Sequence, residues 1–218
     1  MAVTLQKLQA LIVATALVVG GGGAHGQTSA SAPDSSEDPA LLVVRLAQNV
    51  IRAVGTDTSV QAGDASAVRN LVEERILPYV DFEKTTRLAV GRAWRQTTPE
   101  QRIQLTSEFR TLLIRTYAGA LATAREHKVR VVLMRKQGED EALVRTEVVA
   151  PQGDPIQLEY RLSKTDSGWR IYDVSVLGVW LVQTYQTSFA NEASQGGIER
   201  LISSLSARNR QNAAPRSS

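Results

Sequence analysis

At 218 residues the chain can hold one domain with a sizeable core, or such a domain with appendages. Its composition, 43% hydrophobic and 22% charged, is that of an ordinary globular protein. The net charge of +3 comes from bases that alternate with acids, without the concentrated stripe that nucleic-acid binding requires. The lack of cysteine excludes disulfides, thiolate nucleophiles, Cys-held metals and a lipid-modified N-terminal Cys.

The first residues read as an export signal. Lys7 supplies the basic n-region, the run from Leu8 to Val19 the apolar h-region, and Ala24 and Gly26 the −3 and −1 positions of a cleavage site before Gln27. That run is shorter than the roughly 20 residues a membrane span requires. Residues 1–26 are therefore expected to leave, with a soluble, exported protein remaining, most simply in a bacterial periplasm. Residues 27–39 are small, polar and proline-punctuated, as in a flexible tether. A domain is expected over 40–207 and a basic, frayed tail over 208–218.

Asp38 and Pro39 have the N-cap and N1 chemistry of a helix whose apolar stripe is Val43, Leu46, Ala47, Val50, Ile51 and Val54, ending at Gly55. A second helix is expected from about Asp64 to Leu77, closed by Pro78, and a third from about Asp81 to Gly91. Thr98, Pro99 and Gln101 form a capping box that opens a long helix running to about Ala124. Its broad apolar face carries Leu105, Phe109, Leu112, Leu113, Thr116, Tyr117 and Ala120. The period then changes from 3.6 to 2. Four strands are expected, near 129–134, 142–150, 156–163 and 169–177, joined by turns short enough to make an antiparallel meander. In the third, Ile156, Leu158, Tyr160 and Leu162 alternate with Gln157, Glu159, Arg161 and Ser163, so one sheet face is buried and the other wet. Helices near 181–191 and 198–207, separated by Gly196 and Gly197, close the chain. Helices, then strands, then helices imply an α+β fold with helices packed on one face of a curved four-stranded antiparallel sheet.

Little of this is equipped for catalysis. Of two histidines, His25 leaves with the signal and His127 sits at a polar helix end, where it complements the helix C-terminus. No phosphate-binding glycine motif and no metal-ligand spacing occurs. Asp173, inside an apolar strand, is either hydrogen-bonded into the fold or a general base with a raised pKa. Asp81 suits an N-cap, and Glu159 lies on the polar strand face. Tyr79, Trp94, Tyr117, Tyr160, Tyr172, Trp180 and Tyr185 either pack a core or line an apolar cavity, and periodicity does not separate the two.

Three stretches, "YVDFEKTTRLAVGRAWRQTTPEQRIQLTSEFRTLLIRTYAGAL", "GWRIYDVSVLGVWLVQTYQTSF" and "GGIERLISSL", in this order and spacing, resemble the MlaC family, periplasmic phospholipid-binding shuttles also called toluene-tolerance auxiliary proteins. The likeness extends from about Leu41 to Leu205. Asp81 to Lys84, Arg87 to Gly91, Trp94, Gln101, Phe109, Thr116, Tyr117, Trp169, Tyr172, Asp173, Gly178, Tyr185 and Phe189 match. The family commonly has Met where this chain has Thr85, Ser at Trp180, and Asn-Tyr-Arg at Thr184-Tyr185-Gln186. Trp180 is the largest change, placed to narrow a pocket or cover its mouth, and Gln186 in place of the family's Arg weakens the case for a basic side chain meeting the phosphate.

The resemblance implies an NTF2-like fold enclosing a hydrophobic pocket for acyl chains, and a carrier with no catalytic residue, metal or cofactor, phospholipid being its cargo. Implied partners are an outer-membrane lipoprotein–porin complex and an inner-membrane MCE-domain ABC transporter complex, served by a monomer that maintains outer-membrane lipid asymmetry. Periodicity and resemblance together place Phe109, Leu112, Leu113, Thr116, Tyr117, Val144, Val148, Leu158, Tyr160, Tyr172, Val174, Val176, Leu181, Tyr185 and Phe189 around the lipid. The rival readings are a carrier of hopanoids or other polycyclic lipids, a small-molecule enzyme on the same fold using Asp173, and an interaction protein whose core is simply full.

Overall fold

The computed structural model describes residues 37–122, 127–151 and 153–212. The export signal and most of the tether lie outside the described residues, as do the end of the long helix after Ala122 and the last six residues.

Four helical starts are fixed by aspartate. Asp38 accepts from the Ala40 N–H at 2.8 Å and opens α1 (Pro39–Thr56). Asp57 accepts from Ser59 and Val60 and opens the one-turn α2 (Thr58–Gln61). Asp64 caps α3 (Ala65–Arg75) through Ala67, and Asp81 caps α4 (Phe82–Val90) through Lys84. Each carboxylate satisfies a donor that the helix itself leaves open, a contribution of about 1 kcal/mol. Short 3₁₀ segments at Leu77–Tyr79 and Gly91–Gln96 follow α3 and α4. The long α5 (Pro99–Ala122) begins with the expected capping box: the Thr98 N–H donates to Gln101 Oε1 at 2.9 Å, and the Gln101 N–H to Thr98 Oγ1 at 3.3 Å.

Strands β1 (Lys128–Gln137), β2 (Glu141–Val149), β3 (Ile156–Thr165) and β4 (Gly168–Val176) pair in sequence order, all antiparallel. A short β5 (Val179–Trp180) pairs with β4, so the sheet has five strands where four were expected. The additional strand consists of the two residues that return the chain through a tight turn. α6 (Leu181–Gln211) then runs back along the helices. It is broken at Gly196 and Gly197, the latter at φ 72°, where a side chain is disfavoured, and continues four residues past the expected end at Ala207.

The register fixes which side chains share a face. Ala142, Val144, Thr146 and Val148 of β2 stand opposite Leu162, Tyr160, Leu158 and Ile156 of β3, and the face continues through Ile171, Val174 and Val176 of β4. Two irregularities interrupt the ladders: one at Val132 of β1, the other at Tyr172, which β4 inserts between Ile171 and Asp173. The opposite face carries a ladder of cross-strand ion pairs: Arg130 with Glu147, Arg145 with Glu159 at 2.6 Å, and Arg161 with Asp173 at 3.2 Å. In each pair arginine is the more exposed partner and the acid lies beneath it.

Two apolar cores result. The first joins α1 (Leu42, Val43, Leu46, Val50, Val54) and α3 (Val68, Leu71, Val72) to Ala142, Val144, Leu162, Trp169 and Ile171 of the sheet. The second involves helical segments alone: Ala89 and Val90, Trp94, Leu105 to Leu113 of α5, and Tyr185, Phe189, Ile198, Leu201 and Leu205 of α6. α5 touches both, because Ile114 packs on the first core while Leu112 and Leu113 pack in the second. Asn209 clips the end of α6 to α5 by donating to the Glu108 carbonyl at 2.9 Å and to its carboxylate at 2.6 Å.

The link from sheet to α6 is Asp173, 3% exposed. Its Oδ1 accepts from the Val174 and Val182 N–H groups, both at 3.0 Å, and its Oδ2 from Arg161. Of its two sequence readings, the fold-building one is the one observed, since every contact anchors backbone or the neighbouring strand. Asp173→Ala orphans two buried N–H donors and is expected to cost about 2–4 kcal/mol. Asp173→Asn keeps the Oδ1 acceptor and is expected to cost less than half as much. Urea unfolding midpoints of the two variants test this.

Candidate functional site

The fifteen residues singled out from the sequence fall into separate surroundings. Val144, Tyr160 and Val174 belong to the first core or pack on it. Val148, Leu158 and Val176 lie on the same sheet face but are only half-buried. Phe109, Leu112, Leu113, Tyr185 and Phe189 are buried in the helical core, with Tyr117 and Leu181 packed against it. There the Phe109 ring meets Tyr185 edge-on at 4.9 Å and Phe189 at 5.0 Å, so the three rings largely fill one another's space. Thr116 is half-buried and donates its hydroxyl to the Leu112 carbonyl at 2.7 Å. Tyr172, the bulge residue, stands apart. Its ring lies 3.8 Å beneath Lys84 Nζ and its hydroxyl reaches Glu141, beside a groove of about 780 Å³ lined by Asp81, Lys84, Asp140, Glu141, Ser163, Lys164, Thr165 and Asp166.

The apolar sheet face changes along its length. At one end Ala142, Val144, Leu162 and Ile171 are at most 4% exposed under α1 and α3. At the other, Val148, Ile156, Leu158 and Val176 are half-buried, and Val131 and Val179 at the two margins are 38% and 42% exposed. These are direct neighbours: Val131, Thr146, Leu158, Val176 and Val179 form one row across all five strands. The face thus passes from packed core to partly uncovered apolar ground, with the buried Thr146 between them. Ile156 and Val179 belong to it and were not among the candidates. Alternation within β3 already sets Ile156 beside Leu158, whereas only the cross-strand register shows that Val179 belongs.

Tyrosine hydroxyls lie in two places, Tyr160 on the sheet face and Tyr117 with Tyr185 in the helical core. Burial pushes the Tyr160 hydroxyl up to about 12, and it lies beside the Thr146 hydroxyl on the sheet face. Burial likewise raises Tyr117 and Tyr185, whose hydroxyls bond each other between α5 and α6, with Thr116 also bonding Tyr185. All three are therefore neutral O–H groups at physiological pH, adding hydrogen-bonding capacity to apolar walls without charge. Asp173 is also held above the usual carboxylate range, by burial first, against the opposing pull of the Val182 N–H and Arg161. Both its oxygens are already engaged, as the fold requires.

The positions where the chain departs from the family pattern have local explanations. Thr85 donates its hydroxyl to the Asp81 carbonyl and to the Tyr172 carbonyl, both at 2.8 Å, so it ties α4 to the β4 bulge. Trp180 pairs with Ser175 and lies with its ring 3.8 Å beneath the Arg161 guanidinium. That places it on the ion-pair face, not at the half-covered apolar row, and corrects the expectation that it narrows or covers a pocket there. Gln186 extends its amide to the Leu88 carbonyl at 3.4 Å, across the α4–α6 junction. Among the described residues no group of acidic or histidine side chains is placed to hold a metal, and no helix is long and apolar enough to cross a membrane.

Comparison with known proteins gives this arrangement a context. Residues 44–207 match the family model described as MlaC protein. A solved phospholipid-binding protein from Ralstonia solanacearum, determined in complex with a phospholipid, is 38% identical; its superposition covers 82% of this chain and all of that one, with a TM-score of 0.78. The intermembrane phospholipid transport system binding protein MlaC of Haemophilus influenzae is 23% identical over 171 residues, 77% of this chain and 80% of that protein. With the family match spanning most of its length and the same fold in the Ralstonia protein, the chain belongs to the MlaC family.

Proposed function

We propose that this protein is a phospholipid carrier, exported to the periplasm, that takes the acyl chains of its cargo against the half-covered apolar face of its sheet. The observation carrying this reading is the row Leu158–Val176 with Val148 and Ile156 beside it: apolar, continuous with a packed core, and itself incompletely packed. A protein whose core simply closed on itself would cover that strip. Phospholipid bound by the Ralstonia relative, and the transport role in the name of the Haemophilus one, support the same assignment.

The physical demand on a carrier is a match, not maximal affinity. Removing one methylene from water is worth about 0.8 kcal/mol, so two chains of roughly 15 methylenes represent about 25 kcal/mol and do not cross an aqueous space unaided. An apolar cleft replaces the bilayer at nearly equal free energy, and the small difference sets whether lipid is taken up or given away. The neutral hydroxyl of Tyr160, on the sheet face, suits the ester region of such a cargo better than its acyl chains. In this reading the protein acts without catalysing a reaction, as a monomer. It exchanges lipid with an outer-membrane lipoprotein–porin complex and an inner-membrane MCE-domain ABC transporter, and so maintains outer-membrane lipid asymmetry.

Native mass spectrometry of the purified mature protein, followed by organic extraction, is expected to show phospholipid at whole-number stoichiometry. A polycyclic lipid in the extract would reassign the cargo, and a mass that stays apo after incubation with liposomes would withdraw the carrier assignment. Two substitutions separate cavity from core. Leu158→Glu, on the half-buried row, is expected to abolish co-purifying lipid with circular dichroism near that of the parent. Phe109→Ala, fully buried among rings, is expected to cost about 3–5 kcal/mol in stability. Full lipid content in Leu158→Glu would remove the cargo from this face.

A further inference from the structure

The 3₁₀ segment Gly91–Gln96 sorts its side chains by a period of three, because residues three apart in such a helix eclipse one another. Trp94 and Thr97 turn inward and are buried, and the Thr97 hydroxyl donates to the Trp94 carbonyl at 2.7 Å. Arg92 and Arg95, also three apart, both stand outward, and Arg87, exposed in the last turn of α4, precedes them. Among the described residues no acid forms an ion pair with any of the three.

The surroundings do not neutralise them. No acid occurs between Glu83 and Glu100, and these two occupy the first turns of α4 and α5, where the helix N-terminus favours an acid. Residues 181–191 of α6, which reach α4 through Gln186 and the Leu88 carbonyl, carry no charge at all. The adjoining bases are already engaged, Lys84 with Glu141 at 2.8 Å and Arg102 with the Thr97 hydroxyl above the Trp94 ring. Across the helical layer, residues 82–115 and 181–211, ten bases stand against five acids, whereas residues 37–81 and 127–176 carry twelve bases and fifteen acids. The positive excess therefore belongs to the layer as a whole, and Arg87, Arg92 and Arg95 are its exposed, unpaired part. Arginine presents a rigid fork of donors that matches a carboxylate two-handedly and is enriched in protein interfaces. An anionic bilayer fits less well. Electrostatic capture by lipid takes about four to eight clustered bases, or fewer with apolar side chains to insert, and this segment has no large exposed apolar side chain.

We propose that Arg87, Arg92 and Arg95 form a docking surface for an acidic patch on a protein partner, through which the carrier is held while lipid is given or received. This rests on the carrier reading above and adds to it the surface by which the partner is recognised.

The test combines Arg92→Glu with Arg95→Glu in the mature protein and measures binding to the purified lipoprotein–porin complex and to the purified MCE-domain transporter complex. The parent is expected to bind at least one of them, roughly fivefold more weakly at about 300 mM than at about 50 mM salt, and the double variant to lose roughly tenfold in affinity. Melting temperature and co-purifying phospholipid are expected to stay at parental values, since both side chains are exposed and unpaired. Arg135→Glu with Lys136→Glu, exposed on β1, is expected to leave binding unchanged. Should the first pair fail to fold, Arg92→Gln with Arg95→Gln is expected to weaken binding in the same direction. Equal affinity of the parent and the Arg92/Arg95 variants would overturn the proposal. So would a loss confined to anionic vesicles, which makes the partner a bilayer, or a salt-sensitive dimer of the parent that the substitutions dissolve, which makes it a second copy. A parent that carries lipid yet binds neither complex would overturn it too. Binding lost in the variants of a parent that carries no lipid would leave the docking surface standing and remove the carrier reading instead.

Discussion

The arrangement depends on one buried carboxylate. Asp173 lies on β4, holds the first turn of α6 through the Val182 N–H, and is held in turn by Arg161 of β3. Without it the chain leaving β5 has no fixed direction, and α6 carries Tyr185, Phe189, Ile198, Leu201 and Leu205, five of the twelve buried residues of the helical core. A buried acid is an expensive anchor, as the upward push on its pKa records. An apolar residue of similar size would pack there, but it could not orient two N–H groups and a guanidinium at once. The gain is directional, since the sheet's last strand and the molecule's last helix meet at a defined angle.

That angle has a consequence for the apolar face. Helices α1 and α3 cover one end of the sheet, while α4, α5 and α6 spend their apolar stripes chiefly on one another. The helices are amphipathic enough for one burial surface each, and α5 alone serves two. Too little apolar helix surface is left for the strip from Val148 to Val176. Incomplete coverage follows from this division of helix faces, and it is the feature on which the proposed acyl-chain site rests.

Much of the local architecture was legible because its causes are local. The capping box at Thr98 and Gln101, the aspartate caps at Asp38, Asp64 and Asp81, and the switch of period after Lys128 each depend on side chains a few residues apart. The five-stranded count was not legible, since Val179 and Trp180 become a strand only by pairing with β4. Nor was the placing of Tyr172. Alternation within β4 put it with Val174 and Val176, but a bulge turned it to Lys84 and Glu141. The candidate site suffered most from this kind of non-local effect. Helical spacing identified Phe109, Tyr185 and Phe189 as apolar without showing that they would fill each other's space, and strand spacing found Leu158 without its row-mate Val179.

The two faces of the sheet explain why an apolar guest has one side to choose. On the polar face each arginine covers an acid on the next strand, from Arg130 across to Asp173, and Arg161 is further covered by the Trp180 ring. An acyl chain laid there would strip water from three guanidinium groups, a desolvation cost that dispersion contacts do not recover. The same ladder pins the register by pairing opposite charges at fixed rungs, since a one-residue slip would set these charges on the apolar side. The register therefore does two things at once. It keeps Leu158 and Val176 on the half-covered apolar side, where the proposed cargo would lie, and it keeps the charged ladder on the opposite side.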